Sequence, residues 1–540
     1  MVCRLCFVSL CCLVFCFFAV TALHEAEDRR RPGVVILTVE SLRNDLVAED
    51  SMPNLLRAAR TGHRFAAHRA VSGWTATNIV SILTGLTPFA SGVHTRGQSV
   101  APDLMPPLAQ LAEAGYVVEG LQPFMAMDIY ENLGLTVSGR GQEPTLWLAE
   151  RRQEGRPFFL WYHYVHTHLP YGPEPLPADW PEETKKRLEK VRGQAAVLHD
   201  EVSFLPEDIP RIHALQKNRI REFDRWFADF WDFWLASGCG RDTILIVTAD
   251  HGDEHGERGM AGHASTTLAG HLHEEIVRVP LFVWLPKELP ATDEVPRTIE
   301  MSSHLDIMPT ILARLGVTPQ IDLEGRDLFA ATGATPDRPW LGMTASGGFA
   351  EPEPEKIRYF EYSCLQGGWK SRMRVLAGGT ELFALYDLSG DPGETVDLAA
   401  KHPDIAAAHR LLLERAIAGR VHNPIRPSRP QGPGAEEGEG TLGWVRPSRS
   451  GVYSFEELTG RFVLQWSGAP DREYLLDYQA GNGRKALNGT LAVRGPKKDF
   501  GTIDRRYWQT WIVPNSPFRL RVREADGPGR TPWLELEARP

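Results

Sequence analysis

This chain predicts an α/β protein with a mainly parallel central sheet covered by helices, and three observations carry that prediction. The runs Gly33-Val-Val-Ile-Leu-Thr-Val39 and Thr243-Ile-Leu-Ile-Val-Thr-Ala249 are short, apolar and β-branched, as fully buried parallel strands are. From Gly33 to about Pro286 such runs alternate with helical patterns, the order of a sheet with both faces covered. Both runs also end on reactive side chains: Glu40 follows the first, and Asp250 and His251 follow the second. That is the edge where open α/β sheets bind ligands.

Further strands are expected at Val117 to Leu121, Phe158 to Tyr164 and Val279 to Leu285. Between Glu182 and Gly238 the pattern is helical, and its aromatics from Phe223 to Trp234 read as a helix face packed on the sheet. From about Ile357 to Leu388 the pattern changes to short strands, followed by a helix from about Pro403 to Ala418, which describes a small antiparallel α+β subdomain. His422 to Gly440 is rich in Pro, Gly and Glu and cannot bury enough surface to fold alone. Beyond it Phe462 to Trp466, Tyr474 to Tyr478, Thr490 to Arg494, Trp508 to Val513, Phe518 to Val522 and Trp533 to Glu537 are evenly spaced short strands, the pattern of a C-terminal β-sandwich. The expected organisation is an export segment at 1–23, the α/β domain at 33–340, the antiparallel subdomain at 341–420, a linker at 421–440 and the β-sandwich at 441–540. The aromatics of the last domain read mainly as core, with sugar stacking as the alternative.

At 540 residues, 42% hydrophobic and 24% charged, the chain is too long for one core and too apolar for disorder. A net charge of -10, with no basic run beyond Arg29-Arg30-Arg31, excludes a nucleic-acid partner. Arg4 precedes an apolar run from Leu5 to Leu23 with small residues at Ala19 and Ala22, so the N-terminus reads as an export signal. Periplasmic or extracellular localisation follows, with membrane association only if the segment stays uncleaved as an anchor. Five of the seven cysteines lie in that segment, at Cys3, Cys6, Cys11, Cys12 and Cys16. Cys239 and Cys364 remain as a candidate pair in an oxidising compartment.

Thr75 lies in Ser72-Gly-Trp-Thr-Ala-Thr-Asn78-Ile-Val-Ser-Ile-Leu-Thr84-Gly85, a turn followed by a short helix that a glycine ends. Its hydroxyl falls at the helix N-terminus, where free N–H groups and the dipole favour an alkoxide and an anionic ester. Taken alone it reads as an N-cap. With Glu40, Asp250 and His251 it forms a candidate metal site that carries its own nucleophile.

The segments Leu37-Thr-Val-Glu-Ser-Leu-Arg43-Asn-Asp45, Met52-Pro-Asn-Leu-Leu, Ile82-Leu-Thr-Gly-Leu-Thr-Pro88, His168-Leu-Pro-Tyr171, Thr248-Ala-Asp-His-Gly252, Glu274-Glu-Ile-Val-Arg-Val-Pro-Leu281 and Leu385-Tyr-Asp-Leu-Ser-Gly-Asp-Pro-Gly-Glu394 occur in that order. Over residues 33 to 420 they resemble the sulfatase branch of the alkaline phosphatase superfamily, which implies its sandwich fold. The resemblance breaks at the nucleophile. Sulfatases place there a Cys or Ser matured to formylglycine, with Pro two and Arg four residues on, and this chain has Thr75, Thr77 and Ile79. Thr75 cannot become formylglycine, and the first carboxylate is Glu40 followed by Ser41. One reading is loss of catalysis. The other is a threonine site, because the set Glu40, Thr75, Asp250, His251 also resembles that of phosphoethanolamine transferases and lipoteichoic acid synthases.

The resemblance implies further roles. His168 and His263 match positions that contact anionic oxygens or the leaving group, a task that suits imidazole. Asn78 and His271 are expected at the substrate, and Arg43 either there, orienting Glu40, or in a structural ion pair. His255, His271 and His273 are otherwise expected to be solvent-facing loop histidines. One divalent cation is expected, with Zn or Mn favoured over Ca or Mg by the mixed oxygen and nitrogen ligands. The expected function is a metal-dependent ester hydrolase in which Thr75 attacks a phosphate ester, less readily a sulfate ester, borne on a glycan or lipid head group. The alternatives are a membrane-associated phospho-group transferase and an inactive glycan-binding protein.

Overall fold

The computed structural model describes residues 31–95, 98–121, 128–138, 143–169, 171, 176–192, 202–263, 271–286, 301–330, 338–346 and 357–423, and strand segments between 444 and 538. The expected export segment, most of the expected linker and the expected strand at 508–513 lie outside them. Among the described residues no helix is long and apolar enough to cross a membrane.

The central sheet has seven strands in the order His63–Arg64, Leu281–Trp284, Thr243–Ala249, Gly33–Val39, Phe158–Tyr164, Val117–Leu121 and Thr136–Ser138. All neighbours pair in parallel except Leu281–Trp284, which runs antiparallel to both strands beside it. The two runs that ended on reactive residues are the two middle strands, and both are buried along their full length. Their register sets Val39 opposite Ala249 and Thr38 opposite His163. The residues that follow therefore leave the sheet side by side.

Alternation along the strands feeds two cores. Val34, Ile36, Trp161, Ile244 and Ile246 face Ile79, Val80 and Leu83 of the helix Thr75–Thr84 and Met308 and Ile311 of the helix Ile307–Leu315. Val35, Leu37, Leu160, Leu245 and Val247 face the long helix Ile209–Ala236, which buries Phe223, Phe227, Phe230 and Trp234. The aromatic run is thus core. Trp226 stacks on Tyr162 at 5.3 Å between centroids.

The antiparallel subdomain consists of Trp340–Ser346, Tyr359–Gln366, Trp369–Leu376 and Glu381–Asp387 paired in sequence order. Leu413 of the helix Pro403–Ala418 packs with Met343, Tyr362 and Met373 of this sheet. Toward the C-terminus the described strands form a three-stranded and a five-stranded sheet, largely antiparallel, around Leu464, Trp466, Tyr474, Leu476, Val522 and Leu534. The pairing considered for Cys239 and Cys364 does not occur: neither forms a disulfide and both are buried, one beneath the long helix and the other inside the antiparallel sheet.

Phe227 on the long helix is fully buried, its ring against Trp284 of the sheet. Phe227→Ala is expected to destabilise the protein by about 3–5 kcal/mol. A urea titration followed by tryptophan fluorescence reads that loss, and a midpoint unchanged from wild type would mean that the aromatic face is not what holds this helix.

Candidate metal centre and active site

Three adjacent parallel strands deliver the site. Glu40 follows Gly33–Val39, Asp250 and His251 follow Thr243–Ala249, and His163 sits near the end of Phe158–Tyr164. Ser41 turns sharply with φ 57, a left-handed conformation rare for serine and typical of strained functional turns. That turn aims the Ser41 amide at Asp250, where it donates to Oδ1 at 2.9 Å beside the His251 amide, also at 2.9 Å. The Ser41 hydroxyl donates to Glu40 Oε1 at 3.0 Å. At Gly252 a glycine is obligatory, because a Cβ there would lie 2.0 Å from the Glu275 carbonyl oxygen.

Thr75 is the first residue of its helix and is almost fully buried. Its Oγ1 lies 3.1 Å from His251 Nε2 and 3.3 and 3.4 Å from the two oxygens of Glu40. His251 Nε2 stands 3.3 Å from Glu40 Oε1 and 3.2 Å from Asp250 Oδ2. Its other ring nitrogen, Nδ1, donates to the Gly252 carbonyl at 2.9 Å, which leaves the Nε2 lone pair directed at the centre when the ring is neutral. The four residues expected to hold a metal are therefore brought together.

The donor set fits a divalent cation. Four ligands about 2.0–2.1 Å from zinc in a tetrahedron stand about 3.3 Å apart, and His251 Nε2 stands 3.1–3.3 Å from Thr75 Oγ1, Asp250 Oδ2 and Glu40 Oε1, with Thr75 Oγ1 3.3 Å from that same Glu40 oxygen. Asp250 Oδ2 is buried and makes no hydrogen bond among the described residues. Burial and the neighbouring Glu40 push the Asp250 carboxyl up from its ordinary range. Burial would raise Glu40 too, but the hydrogen bond from His163 and the charges of His168, His163 and His251 hold it well below. For His251, burial is outweighed by Asp250, Glu40 and Asp253, which draw its pKa up. Two buried carboxylates side by side, faced by imidazole and hydroxyl groups, form a mixed oxygen and nitrogen donor set that suits a cation.

The other expected site residues divide. His263 joins the centre, its ring 4.1 Å from that of His251, and His168 meets it edge-on at 4.9 Å. His263 Nδ1 donates to Asp253 Oδ1 at 2.8 Å, and the Tyr171 hydroxyl donates to Asp253 Oδ2 at 2.7 Å. Burial and the charge of His251 pull His263 down to about 4.

Arg43, Asn78 and His271, expected at the substrate, are each engaged by other parts of the chain. Arg43 is spent on Asp45, at 2.9 and 2.8 Å, on Glu257 at 2.7 Å and on the Asp253 carbonyl at 3.1 Å. It is the structural ion pair. Asn78 accepts from the Val71 and Ser72 amides at 3.1 and 3.0 Å and donates to the Ser72 carbonyl at 2.7 Å, so it fixes the turn that presents Thr75. His271 is buried, with Nε2 2.9 Å from Glu254 Oε1, and its backbone packs against Gly73. Nor are His255 and His273 solvent-facing: both are buried, His255 against Gln216 at 2.7 Å and His273 beside Glu394 at 3.2 Å. Polar loops hid their burial, because the partners come from distant elements.

Sequence reasoning missed His163, Asp253 and Tyr171. His163 Nε2 lies 2.8 Å from Glu40 Oε2 and 4.0 Å from Asp250 Oδ2. The signal that could have found it is its place near the end of a buried strand, in His163-Tyr-Val-His-Thr-His168; for Asp253 it is the third position after Asp250.

The fold and centre define an α/β protein with a buried metal-type site at the C-terminal edge of a parallel sheet. Residues 143–317 match the sulfatase family model. The chain is 28% identical over 222 residues to a Δ4,5-hexuronate-2-O-sulfatase of Bacteroides thetaiotaomicron, an alignment covering 37% of this chain and 43% of that protein. It is 25% identical over 208 residues to an arylsulfatase of Clostridium perfringens, covering 34% and 41%. The chain thus spans less than half the length of these curated relatives. Among solved structures, the phosphonate monoester hydrolase of Agrobacterium radiobacter superposes with a TM-score of 0.54 at 19% identity, covering 73% of this chain and 97% of that one, a likeness of fold. The likeness to the sulfatase family thus rests on residues 143–317 and on the fold. The resemblance to the threonine-dependent transferases rests on the site residues alone.

Two results should follow from this geometry. Wild-type protein is expected to retain one Zn or Mn per chain after gel filtration, and Glu40→Gln or Asp250→Asn to lose it, as read by elemental analysis; retention in both variants would place the metal elsewhere. Arg43→Ala leaves Glu257 and Asp45 without their counter-charge and the Asp253 carbonyl without its donor, and is expected to cost about 3 kcal/mol in unfolding free energy, while metal content stays at the wild-type level.

Proposed function

We propose that the chain is an exported, metal-dependent hydrolase of phosphate esters with Thr75 as its nucleophile. The observation that carries this reading is the placement of Thr75 Oγ1, at a helix N-terminus and 3.1–3.4 Å from Glu40 and His251. A divalent ion held by Glu40, Thr75, Asp250 and His251 would supply positive charge that favours the threonine alkoxide and offsets charge on the transferred group. Zn or Mn suits those ligands better than Ca or Mg.

In the first step the Thr75 oxygen forms a bond to phosphorus as the bond from phosphorus to the alcohol oxygen breaks, and the departing alkoxide takes a proton. That proton is the one Thr75 loses, passed on by His263: Asp253 holds Nδ1 and the ring, drawn down to about 4, is neutral, so Nε2 accepts the proton and hands it to the leaving oxygen, while His168 stands edge-on to the same ring. Water then attacks the phosphothreonine, releases phosphate and restores the Thr75 hydroxyl. A threonine ester must be opened by such a displacement. Formylglycine instead gives a sulfated intermediate that eliminates, and this difference supports phosphate over sulfate. The sulfatase names of the relatives support sulfate as the second reading. A sugar or lipid head group remains the proposed carrier of the ester.

Metal-reconstituted protein should hydrolyse an aryl phosphate monoester or diester in preference to the aryl sulfate, and Thr75→Ala should lower kcat by about a thousandfold or more. Mass spectrometry of quenched reactions should find phosphate on Thr75. Sulfate turnover that survives Thr75→Ala would overturn the assignment.

A further inference from the structure

A hydrogen-bonded line runs from the sheet interior to Glu40, and its proton directions are fixed at one end. Trp161 Nε1, which can only donate, lies 2.9 Å from Thr38 Oγ1. Thr38 must accept there, and its single proton has two candidate acceptors, His163 Nδ1 at 2.7 Å and the Tyr162 carbonyl at 3.4 Å. The shorter contact takes it. His163 Nδ1 is then the acceptor, Nε2 carries the hydrogen, and Nε2 donates to Glu40 Oε2 at 2.8 Å. A carboxylate that ligates a cation is ionised and only accepts, so the Glu40 end of the line agrees with the Trp161 end. Thr38 and His163 are wholly buried, as is Trp161, whose ring stacks on that of His163 at 5.8 Å.

We propose that Trp161, Thr38 and His163 form a positioning relay that locks the His163 tautomer and thereby turns the Glu40 carboxylate so that Oε1 faces His251 while Oε2 is held from behind. This rests on the metal reading of the site and adds three residues to it. The geometry separates the two oxygens: Oε2 takes the His163 proton, whereas Oε1 takes the Ser41 hydroxyl and stands 3.3 Å from His251 Nε2. A carboxylate free to rotate would lose that division and would present an oxygen to the cation only part of the time. Such outer partners are worth roughly 10–100-fold in metal affinity.

The test is the dissociation constant for Zn, measured by competition with a chromophoric chelator on full-length protein, alongside the unfolding midpoint of the metal-free form. Thr38→Val keeps the shape but removes the hydroxyl, and His163→Leu removes the donor; both should weaken Zn by 10–100-fold. Thr38→Ser restores the hydroxyl and His163→Gln restores an N–H toward Glu40, so both should stay within about threefold of wild type. Loss in the first pair with rescue in the second, at a metal-free midpoint common to each pair, is the expected result. Equal affinity in Thr38→Val and wild type would overturn the relay, and so would equal loss in Thr38→Val and Thr38→Ser. If wild-type protein binds no metal at Glu40 and Thr75, the underlying site reading has failed instead, and the wild-type titration shows it before any variant is compared.

Discussion

Glu40 and Asp250 emerge at neighbouring positions from the ends of two parallel strands, both with no exposed surface. Two carboxylates this close in a poorly polarisable interior repel each other, and each has lost its hydration. Most of the surrounding arrangement answers that problem. The left-handed turn at Ser41 brings one amide and one hydroxyl to them, the His251 amide adds a second donor to Asp250, and His163 donates to the far side of Glu40. These contacts leave one Asp250 oxygen and one face of Glu40 turned toward His251 and Thr75. A cation would complete that balance, and under the proposed function the same charge would make an otherwise weak threonine hydroxyl a usable nucleophile.

A second layer of buried charge braces the loops around the centre. Glu361, on the antiparallel sheet, accepts from Arg372 at 2.9 Å through each oxygen and from Arg374 at 2.7 Å, and receives the Leu272 amide at 2.8 Å. Burial would raise its pKa, yet the two arginines hold it far below the ordinary carboxylate range. Lys370, fully buried, reaches Glu274 at 2.9 Å and Glu394 at 2.8 Å, and Arg69 meets Glu274 from the other side at 2.8 Å. Such networks contribute little net stability compared with an apolar core, but removing one partner strands the rest. Their effect here is geometric. They pin the segment from His271 to Glu275 against Gly73 on one side and against the antiparallel sheet on the other, so the turn before Thr75 rests on a fixed floor.

The difference between residues that were legible and those that were not follows from where their partners lie. Glu40, Asp250 and His251 could be read because each directly ends a buried strand, and strand ends are a property of local pattern. Thr75 could be read because a turn, a helix and a terminal glycine surround it within a dozen residues. Arg43 looked like an anion ligand, but the residues that occupy it include Glu257, more than two hundred positions away. Asn78 looked like a pocket residue, yet its amide folds back on the Ser72 turn six residues earlier. His163 was read as part of a strand and nothing more, since its value depends on Thr38 lying opposite it in the next strand.

What the sequence determined by itself was the layer order of the α/β sheet, the aromatic face of the long helix and the strand-end position of the metal-type ligands. All of these follow from hydrophobic period and from the punctuation of turns, which are written within a few residues of where they act. What only the tertiary structure decided was which oxygen of Glu40 faces inward, which arginine is already spent, and that the histidines after Asp250 are buried. Those depend on register between strands far apart in the chain and on charges that meet only after folding, so no local stretch of sequence encodes them.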